Sequence, residues 1–320
     1  MFCNRMRRNF LRREFIRQLR VGALGFALAG ANWSSSAIAA PACGPDKLGT
    51  ERTLLLSTQG GFAVGLQTYP QTLALADHEV VLTFDDGPWP TTTPKVLDAL
   101  DKECVKATFF LIGRNAQAYP ALARREVAEG HTIGNHTFSH PARTLRLMSD
   151  AAARADIVRG FVADEMAAYG SAHTQINFFR FPGFADTPAL VTWLESRNVG
   201  VFGSDLWASD WLFLTPQAEL ALVLKRLDRQ KRGILLLHDS RASTAEMLPA
   251  LLKALKQRGY KIVHIAPGPD KPVLRPAPPG WKSETEEILA KIIPRLAGHK
   301  APAEAKMQPR STRLPEPPGL

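Results

Sequence analysis

Between residues 80 and 265, seven short runs rich in β-branched and aromatic residues alternate with stretches of helical periodicity. Parallel strands need long crossovers that usually hold a helix, so this alternation is typical of βα units around a parallel sheet. It predicts an α/β barrel with fewer units than the eight of the common (β/α)8 barrel. The predicted strands are Val80–Phe84, Ala107–Leu111, His131–Gly134, Asn177–Phe181, Gly200–Ser204, Gly233–Leu237 and Tyr260–Ile265.

Residues 40–79 precede this region as an N-terminal extension. Two apolar runs, Leu54–Thr58 and Phe62–Leu66, flank the pair Gly60-Gly61. A Gly-Gly pair between such runs is a turn signal for two antiparallel strands. The sequence therefore predicts a short β-hairpin lying against the barrel.

Residues 266–320 differ sharply from the barrel in composition, because they contain half of the 24 prolines. Proline-rich segments favour extended linker structure. We expect a proline-rich tail with one short amphipathic helix over Glu284–Ile293. We also expect that truncation after Ala266 leaves catalysis by the domain at residues 80–265 largely intact.

Residues 1–39 have the three parts of an export signal, namely an arginine-rich start, the apolar stretch Val21–Ala31 and the small-residue site Ala37-Ile38-Ala39. The apolar stretch is about half of the roughly 20 residues that span a bilayer, so we expect cleavage after Ala39 and no stable membrane anchor. The run Leu11–Arg17 resembles a twin-arginine signal. The mature protein is therefore expected in the periplasm or secreted.

The net charge of +10 is concentrated in the two ends of the chain. Residues 1–39 hold seven arginines and one glutamate, and residues 266–320 hold nine basic and six acidic residues. The central region is therefore close to neutral, which argues against nucleic acid as a partner. After signal removal only Cys43 and Cys104 remain, too few for a disulfide scaffold, and the sequence leaves open whether they pair.

Five polar clusters each follow a predicted strand or the loop after it. Because the carboxyl ends of parallel strands meet at one rim of a barrel, where catalytic groups lie, these clusters are expected to converge. The clusters are Asp85-Asp86-Gly87, the run from His136 to His140, Arg180, the run from Asp205 to Asp210-Trp211, and His238-Asp239.

Asp85-Asp86-Gly87 taken alone is also good turn chemistry, and the two histidines change that interpretation. His136 and His140 are four residues apart, which on a helical turn places both imidazoles on one face. With a nearby carboxylate they form a two-histidine, one-carboxylate set with open positions, the arrangement expected of a catalytic metal.

His238 and Arg180 allow both a functional and a structural interpretation. His238 follows an apolar run and is either a hydrogen-bonded core residue or, at the rim, a general acid for a departing amine or alkoxide. Arg180 is either part of a structural ion pair or the partner that keeps a rim carboxylate ionised.

These blocks resemble the polysaccharide deacetylase (NodB-homology) family, the fourth family of carbohydrate esterases. The resemblance covers about residues 79–265 and implies a distorted (β/α)7 barrel. The matching blocks occur in the family's order, as Thr83–Pro88, Lys106–Phe110, His136–His140, Arg180–Pro182, Asp210-Trp211 and Leu236–Asp239.

The resemblance implies that Asp86, His136 and His140 bind a divalent metal, with Asp85 as the catalytic base and His238 as the acid. Zinc suits the nitrogen-rich ligand set, and cobalt or nickel are alternatives.

The same resemblance implies that Arg180 orients and tunes Asp85 and that Asp210 pairs with His238. Substrate-binding positions are implied at Pro182, Gly183, Trp211 and Leu236, of which the last two wall the acetyl pocket.

Two positions depart from the family pattern. Gly183 stands where the family often has an aromatic residue, and Phe184 follows it. Trp207 stands where an aspartate is usual, which leaves Asp205 without an assigned role and suggests that Trp207 stacks on a sugar ring.

The sequence therefore predicts a metal-dependent hydrolase that removes N-acetyl groups from a polymer or oligomer containing N-acetylglucosamine. An O-acetyl esterase acting on a polysaccharide such as xylan would use the same residues. A non-catalytic carbohydrate-binding protein is disfavoured, because both Asp85 and His238 are present. We expect an acetylated carbohydrate as the partner and a monomer as the oligomeric state.

Overall fold

The computed structural model describes residues 44–172 and 176–298, which form a mostly parallel sheet flanked by helices. The strands are β1 (Thr50–Leu56), β2 (Phe62–Val64), β3 (Gln71–Leu73), β4 (Glu79–Asp85), β5 (Thr108–Leu111), β6 (Thr132–Asn135), β7 (Phe178–Phe179), β8 (Gly200–Phe202), β9 (Leu206–Trp207), β10 (Gly233–His238), β11 (Lys261–Pro267) and β12 (Leu274–Pro276). The α-helices are α1 (Thr93–Lys102), α2 (Gly113–Ala118), α3 (Pro120–Ala128), α4 (Asp150–Tyr169), α5 (Pro188–Glu195), α6 (Pro216–Gln230), α7 (Ala242–Gln257) and α8 (Glu284–Gly298).

The main sheet has the strand order β1-β11-β4-β5-β6-β7-β8-β2, and β10 pairs with both β4 and β9. All of these pairs are parallel. The seven predicted strands are all present, with ends that differ from the prediction by at most two residues. Strand β4 is buried along its whole length, which fits a strand covered on both faces. The predicted α/β barrel architecture is confirmed.

The predicted hairpin around Gly60-Gly61 is wrong. Strand β1 pairs with β11 and strand β2 pairs with β8, both in parallel, so the two strands lie at opposite ends of the strand order. The glycines do adopt the positive φ angles of a turn, +78° and +67°. A Cβ on Gly61 would lie 2.3 Å from Cα of Glu195, so the link runs against α5 and joins two edges of the sheet.

Side-chain caps mark the starts of α4 and α6. The hydroxyls of Ser149 and Thr215 accept hydrogen bonds from backbone N–H groups in the first turns of α4 and α6. The spacing of Ser243 and Glu246 is typical of a capping box, but α7 already begins at Ala242, so Ser243 lies within its first turn.

The segment after β11 is more structured than its proline content suggests. Strand β12 pairs in antiparallel fashion with β3, and α8 begins at the predicted Glu284 but continues to Gly298. The prediction of a mostly extended tail is therefore wrong for residues 268–298, because β12 pairs with β3 and α8 packs on the barrel. The boundaries of the domains remain predictions.

The predicted signal lies outside the described residues, as does Cys43. Cys104 takes part in a disulfide. Within residues 44–172 and 176–298, no helix combines the length and apolar character needed to cross a bilayer.

Candidate active site

The ends of neighbouring strands place the predicted polar residues close together. Asp85 is the last residue of β4, and His238 is the last residue of β10 and pairs with it in register. His136 directly follows β6, and Arg180 directly follows β7. The convergence expected at one rim of the sheet is thus observed for these four residues.

Asp85 is held by a fully buried arginine. Arg180 Nη1 donates hydrogen bonds to Asp85 Oδ1 at 2.7 Å and to Thr83 Oγ1 at 2.9 Å. Its other nitrogens donate to the carbonyls of Phe202 at 3.1 Å and Gly203 at 2.9 Å. With its donors satisfied by fixed acceptors, the guanidinium holds one carboxylate oxygen of Asp85 and leaves the other free.

Asp86, His136 and His140 form a cluster whose ligand atoms all lie within 4.8 Å of one another. Asp86 Oδ1 is 3.6 Å from His136 Nε2 and 3.4 Å from His140 Nε2. The four-residue spacing predicted that the two imidazoles meet on a helical turn, and this prediction is wrong. They converge in the loop after β6, where Thr137 and His140 have positive φ angles of 68° and 46°.

The protonation of this cluster suits a cation. Burial lowers the pKa of His136 to about 4, and its Nδ1–H donates to the Arg180 carbonyl at 2.8 Å, so Nε2 offers a lone pair to the cluster. Burial alone would raise the pKa of Asp86, but the nearby histidines, His238 first, lower it overall. Among the described residues, the buried Asp86 Oδ1 has no hydrogen-bond partner, so the donor set fits a divalent metal.

His238 is paired with a buried aspartate. Its Nδ1–H donates to Asp210 Oδ1 at 2.8 Å, and its backbone N–H donates to Asp210 Oδ2 at 2.7 Å. Thr244 Oγ1 also donates to Asp210 Oδ2 at 2.8 Å. Burial alone would lower the pKa of His238, but Asp210, with smaller contributions from other carboxylates, raises it to about 10. The imidazole is therefore a cationic acid at neutral pH.

A cavity of about 350 Å³ joins these groups. Asp85, His238 and the three residues of the metal-ligand cluster form its polar part, and the rest of its lining is mostly apolar. The predicted wall residues Trp211 and Leu236 both line it. Arg180 and Asp210 lie buried behind the residues that they contact. The remaining lining residues are Thr144, Phe181, Gly183, Phe184, Trp207, Arg241, Thr285, Ile288, Leu289 and Ile292.

The two departures from the family pattern have structural explanations. Gly183 lines the cavity with φ of +57°, and the buried Pro182 precedes it in the same turn. The aromatic wall is supplied one residue later, where Phe184 stacks on Trp207 with ring centroids 6.2 Å apart. Asp205 does not reach the cavity, since its carboxylate binds Leu66 N, Thr72 Oγ1 and Ile234 N.

Sequence reasoning missed two contributors to the site. Thr244 is an ordinary helix residue in sequence, and its contact with Asp210 depends on how α7 packs. The residues of α8 that line the cavity, from Thr285 to Ile292, follow an amphipathic pattern that could have indicated packing on the barrel but not its location. Asp239 turns away from the cavity and accepts a hydrogen bond from Thr93.

Comparison with known proteins identifies the class. The family model described as polysaccharide deacetylase matches residues 74–197. A chitooligosaccharide deacetylase of Azorhizobium caulinodans is 34% identical over 208 residues, which cover 57% of this chain and 90% of that protein. A peptidoglycan-N-acetylglucosamine deacetylase of Listeria monocytogenes is 29% identical over 202 residues, which cover 60% of this chain.

A solved structure agrees with these matches. The peptidoglycan deacetylase of Bdellovibrio bacteriovorus superposes with a TM-score of 0.60 and 30% identity, covering 68% of this chain and 59% of that one. The chain belongs to the polysaccharide deacetylase family. It spans only 39% of the length of the Listeria protein, so similarity to that relative is confined to part of it.

Proposed function

We propose that this protein is a metal-dependent hydrolase that removes N-acetyl groups from a carbohydrate containing N-acetylglucosamine. The observation that carries the proposal is a single cavity in which Asp85, the Asp86–His136–His140 cluster and His238 face one another. The names of the relatives, which are chitooligosaccharide and peptidoglycan-N-acetylglucosamine deacetylases, support N-acetylglucosamine as the substrate unit.

Asp86, His136 and His140 would hold the cation, and zinc suits two imidazoles and one carboxylate, with cobalt or nickel as alternatives. A cation held by these three residues would supply Lewis-acid chemistry, which polarises a carbonyl group and makes water more acidic.

Asp85 is proposed as the general base. Its Oδ2 is 3.8 Å from His136 Nε2, next to the cluster, and the hydrogen bond from Arg180 to Oδ1 holds the carboxylate in place. Asp85 accepts a proton from the water that attacks the acetyl carbon.

His238 is proposed as the general acid, since Asp210 keeps it protonated. It donates its proton to the departing sugar nitrogen, which leaves as an amine while acetate is released. Trp211 and Leu236 enclose the methyl group, and Gly183, which follows Pro182 in the turn and lines the cavity, offers its backbone N–H to the developing oxyanion.

Two alternatives use the same cavity. An O-acetyl esterase would share every residue, with an alkoxide in place of the amine. A non-catalytic carbohydrate-binding protein is disfavoured by the complete set of base, acid and cluster.

We propose that the protein is exported through residues 1–39, carries no lasting membrane anchor, acts as a monomer and binds no nucleic acid.

Acetate release tests the proposal. The protein loaded with zinc is incubated with chitin oligomers, peptidoglycan and acetylated xylan, and acetate is measured. Release from the first two and not from xylan is expected. Release from xylan alone would establish the esterase, and binding of chitin oligomers without release from any substrate would establish the non-catalytic alternative.

A further inference from the structure

Helix α8 lies beyond the last strand of the barrel and outside residues 74–197, which match the family model. Nevertheless, four of its residues line the cavity, namely Thr285, Ile288, Leu289 and Ile292. Thr285 and Leu289 are 3% and 4% exposed, whereas Ile288 and Ile292 are 38% and 39% exposed. The first two therefore pack against the barrel, and the two isoleucines form an accessible edge of the cavity.

The start of α8 is fastened to the barrel by several polar contacts. Thr285 N–H donates to the Gln67 carbonyl at 3.0 Å, and the hydroxyls of Thr285 and Thr68 are 3.0 Å apart. Arg146 forms hydrogen bonds of 2.9 and 2.6 Å with the two carboxylate oxygens of Glu286. A bidentate ion pair combined with buried hydrogen bonds fixes the position of a helix better than apolar contact alone.

The side chains that α8 presents to the cavity are poor partners for a hydrated sugar chain. A sugar ring carries hydroxyls around its edge, and each hydroxyl that loses water without gaining a partner costs free energy. Three of the four residues are aliphatic and offer no donor or acceptor. Additional sugars of a polymer would therefore be disfavoured on this side of the cavity.

We propose, building on the function proposed above, that α8 is a fixed wall that determines substrate length. It closes one side of the cavity, so that the acetylated sugar enters as the terminal unit of a short oligosaccharide. Internal units of long polymers, which need chain on both sides of the scissile group, are disfavoured.

Product analysis is the first test. Zinc-loaded protein is incubated briefly with chitopentaose, and tandem mass spectrometry locates the first free amine. A terminal position is expected, and a first amine on an internal sugar would overturn the proposal.

Substitution of the accessible edge is the second test. For I288A/I292A, the ratio of kcat/KM on long soluble chitosan to that on chitopentaose should rise about tenfold, the discrimination that small changes of an apolar pocket produce. The matched control is E287A/K291A, exposed residues of the same helix outside the cavity lining, which should keep the wild-type ratio. An unchanged ratio in I288A/I292A overturns the proposal that α8 limits substrate length. Absence of acetate release from every substrate overturns the proposed function as well.

A cross-link separates a fixed wall from a mobile cover. The variant T68C/T285C joins α8 to the barrel where the two hydroxyls meet. Formation of the new disulfide is checked by mass, and wild type in the same reductant controls for the disulfide of Cys104. Equal rates on chitopentaose before and after reduction support a fixed wall. Activity that returns only on reduction shows that α8 must move, and overturns the proposal.

Discussion

Asp85 and Asp86 are adjacent in the chain, but their carboxylates face different partners. Asp85 ends strand β4 and meets Arg180, whereas Asp86 has a positive φ of 74° and turns towards the two imidazoles. Aspartate is one of the few side chains that adopts this left-handed conformation readily. A change of backbone conformation between two neighbours thus gives identical side chains different surroundings.

Substitution of each aspartate by asparagine should therefore have different effects. D85N keeps its shape but cannot accept a proton, so zinc content should stay while turnover falls by roughly 10²–10⁴. D86N or H140A removes one of three ligands, so zinc content itself should drop and excess zinc should restore part of the activity. Metal analysis beside acetate release decides between them. A D85N protein that loses its zinc would reverse the assignment.

The pairing of His238 with Asp210 predicts a pH dependence. As an acid, His238 must be protonated, so kcat/KM should decline as the pH rises through its pKa of about 10. Because the Asp210 charge raises that pKa, D210N should lower it and move the alkaline limb to lower pH. The control T244V removes one hydrogen bond to Asp210 but keeps the charge, and its limb should move less. Uniformly reduced activity with an unmoved limb in D210N would indicate a structural role.

At the scale of elements, the strands of the barrel and most of the site could be predicted from sequence. Each predicted strand is a local run of apolar residues, and the rule that parallel strands end at one rim brings Asp85, His136 and His238 together. The loop conformation that joins the two imidazoles was not predictable in the same way. The four-residue spacing of His136 and His140 is equally compatible with a helical turn, and positive φ at Thr137 leaves no signal in its residue type.

The pairing of β1 and β2 could not be predicted for a different reason. A Gly-Gly link between two apolar runs satisfies the local requirements of a hairpin, but each run instead pairs with a strand distant in sequence, β11 or β8. Local turn chemistry does not specify which sheet edge a strand will join. The same applies to β12 and α8, whose contacts are made with residues about 200 positions earlier.

Asp205 provides a stability test of how these elements are joined. Its buried carboxylate accepts hydrogen bonds from the segment after β2, from β3 and from β10. D205A leaves three donors without their partner at about 1–3 kcal/mol each, so the free energy of unfolding should fall by about 3 kcal/mol or more. Urea unfolding measures this. The exposed pair of Asp228 with Arg258 gives the control D228A, which should change stability little. Equal losses in both variants would contradict the structural role of Asp205.

At the scale of the whole molecule, the site draws on parts of the chain that a barrel alone does not require. The groups proposed for chemistry lie between Asp85 and His238, at the rim of the sheet. The five-residue link between β1 and β2 joins the two ends of the strand order, and the segment after β11 returns across the cavity. The barrel therefore supplies the catalytic groups, and the outer segments shape access to them.

This division predicts the effect of ending the chain at Pro267, one residue beyond the truncation after Ala266 that is expected from the sequence to leave catalysis largely intact. The truncated protein loses β12 from β3, the 2.7 Å hydrogen bond from Trp281 Nε1 to the Leu66 carbonyl, and the buried Leu289. Its Tm should therefore fall by several degrees, because about 1 kcal/mol shifts Tm by roughly 2–4 °C in a domain of this size. Every proposed catalytic group remains, so kcat on chitopentaose should stay within a few-fold of wild type while KM rises.

The matched control is a chain ending at Gly298, which keeps α8 and should retain the wild-type Tm and KM. A Pro267 truncation with unchanged Tm would show that α8 contributes nothing to stability, and one that folds but has lost kcat would show that catalysis needs residues beyond the barrel.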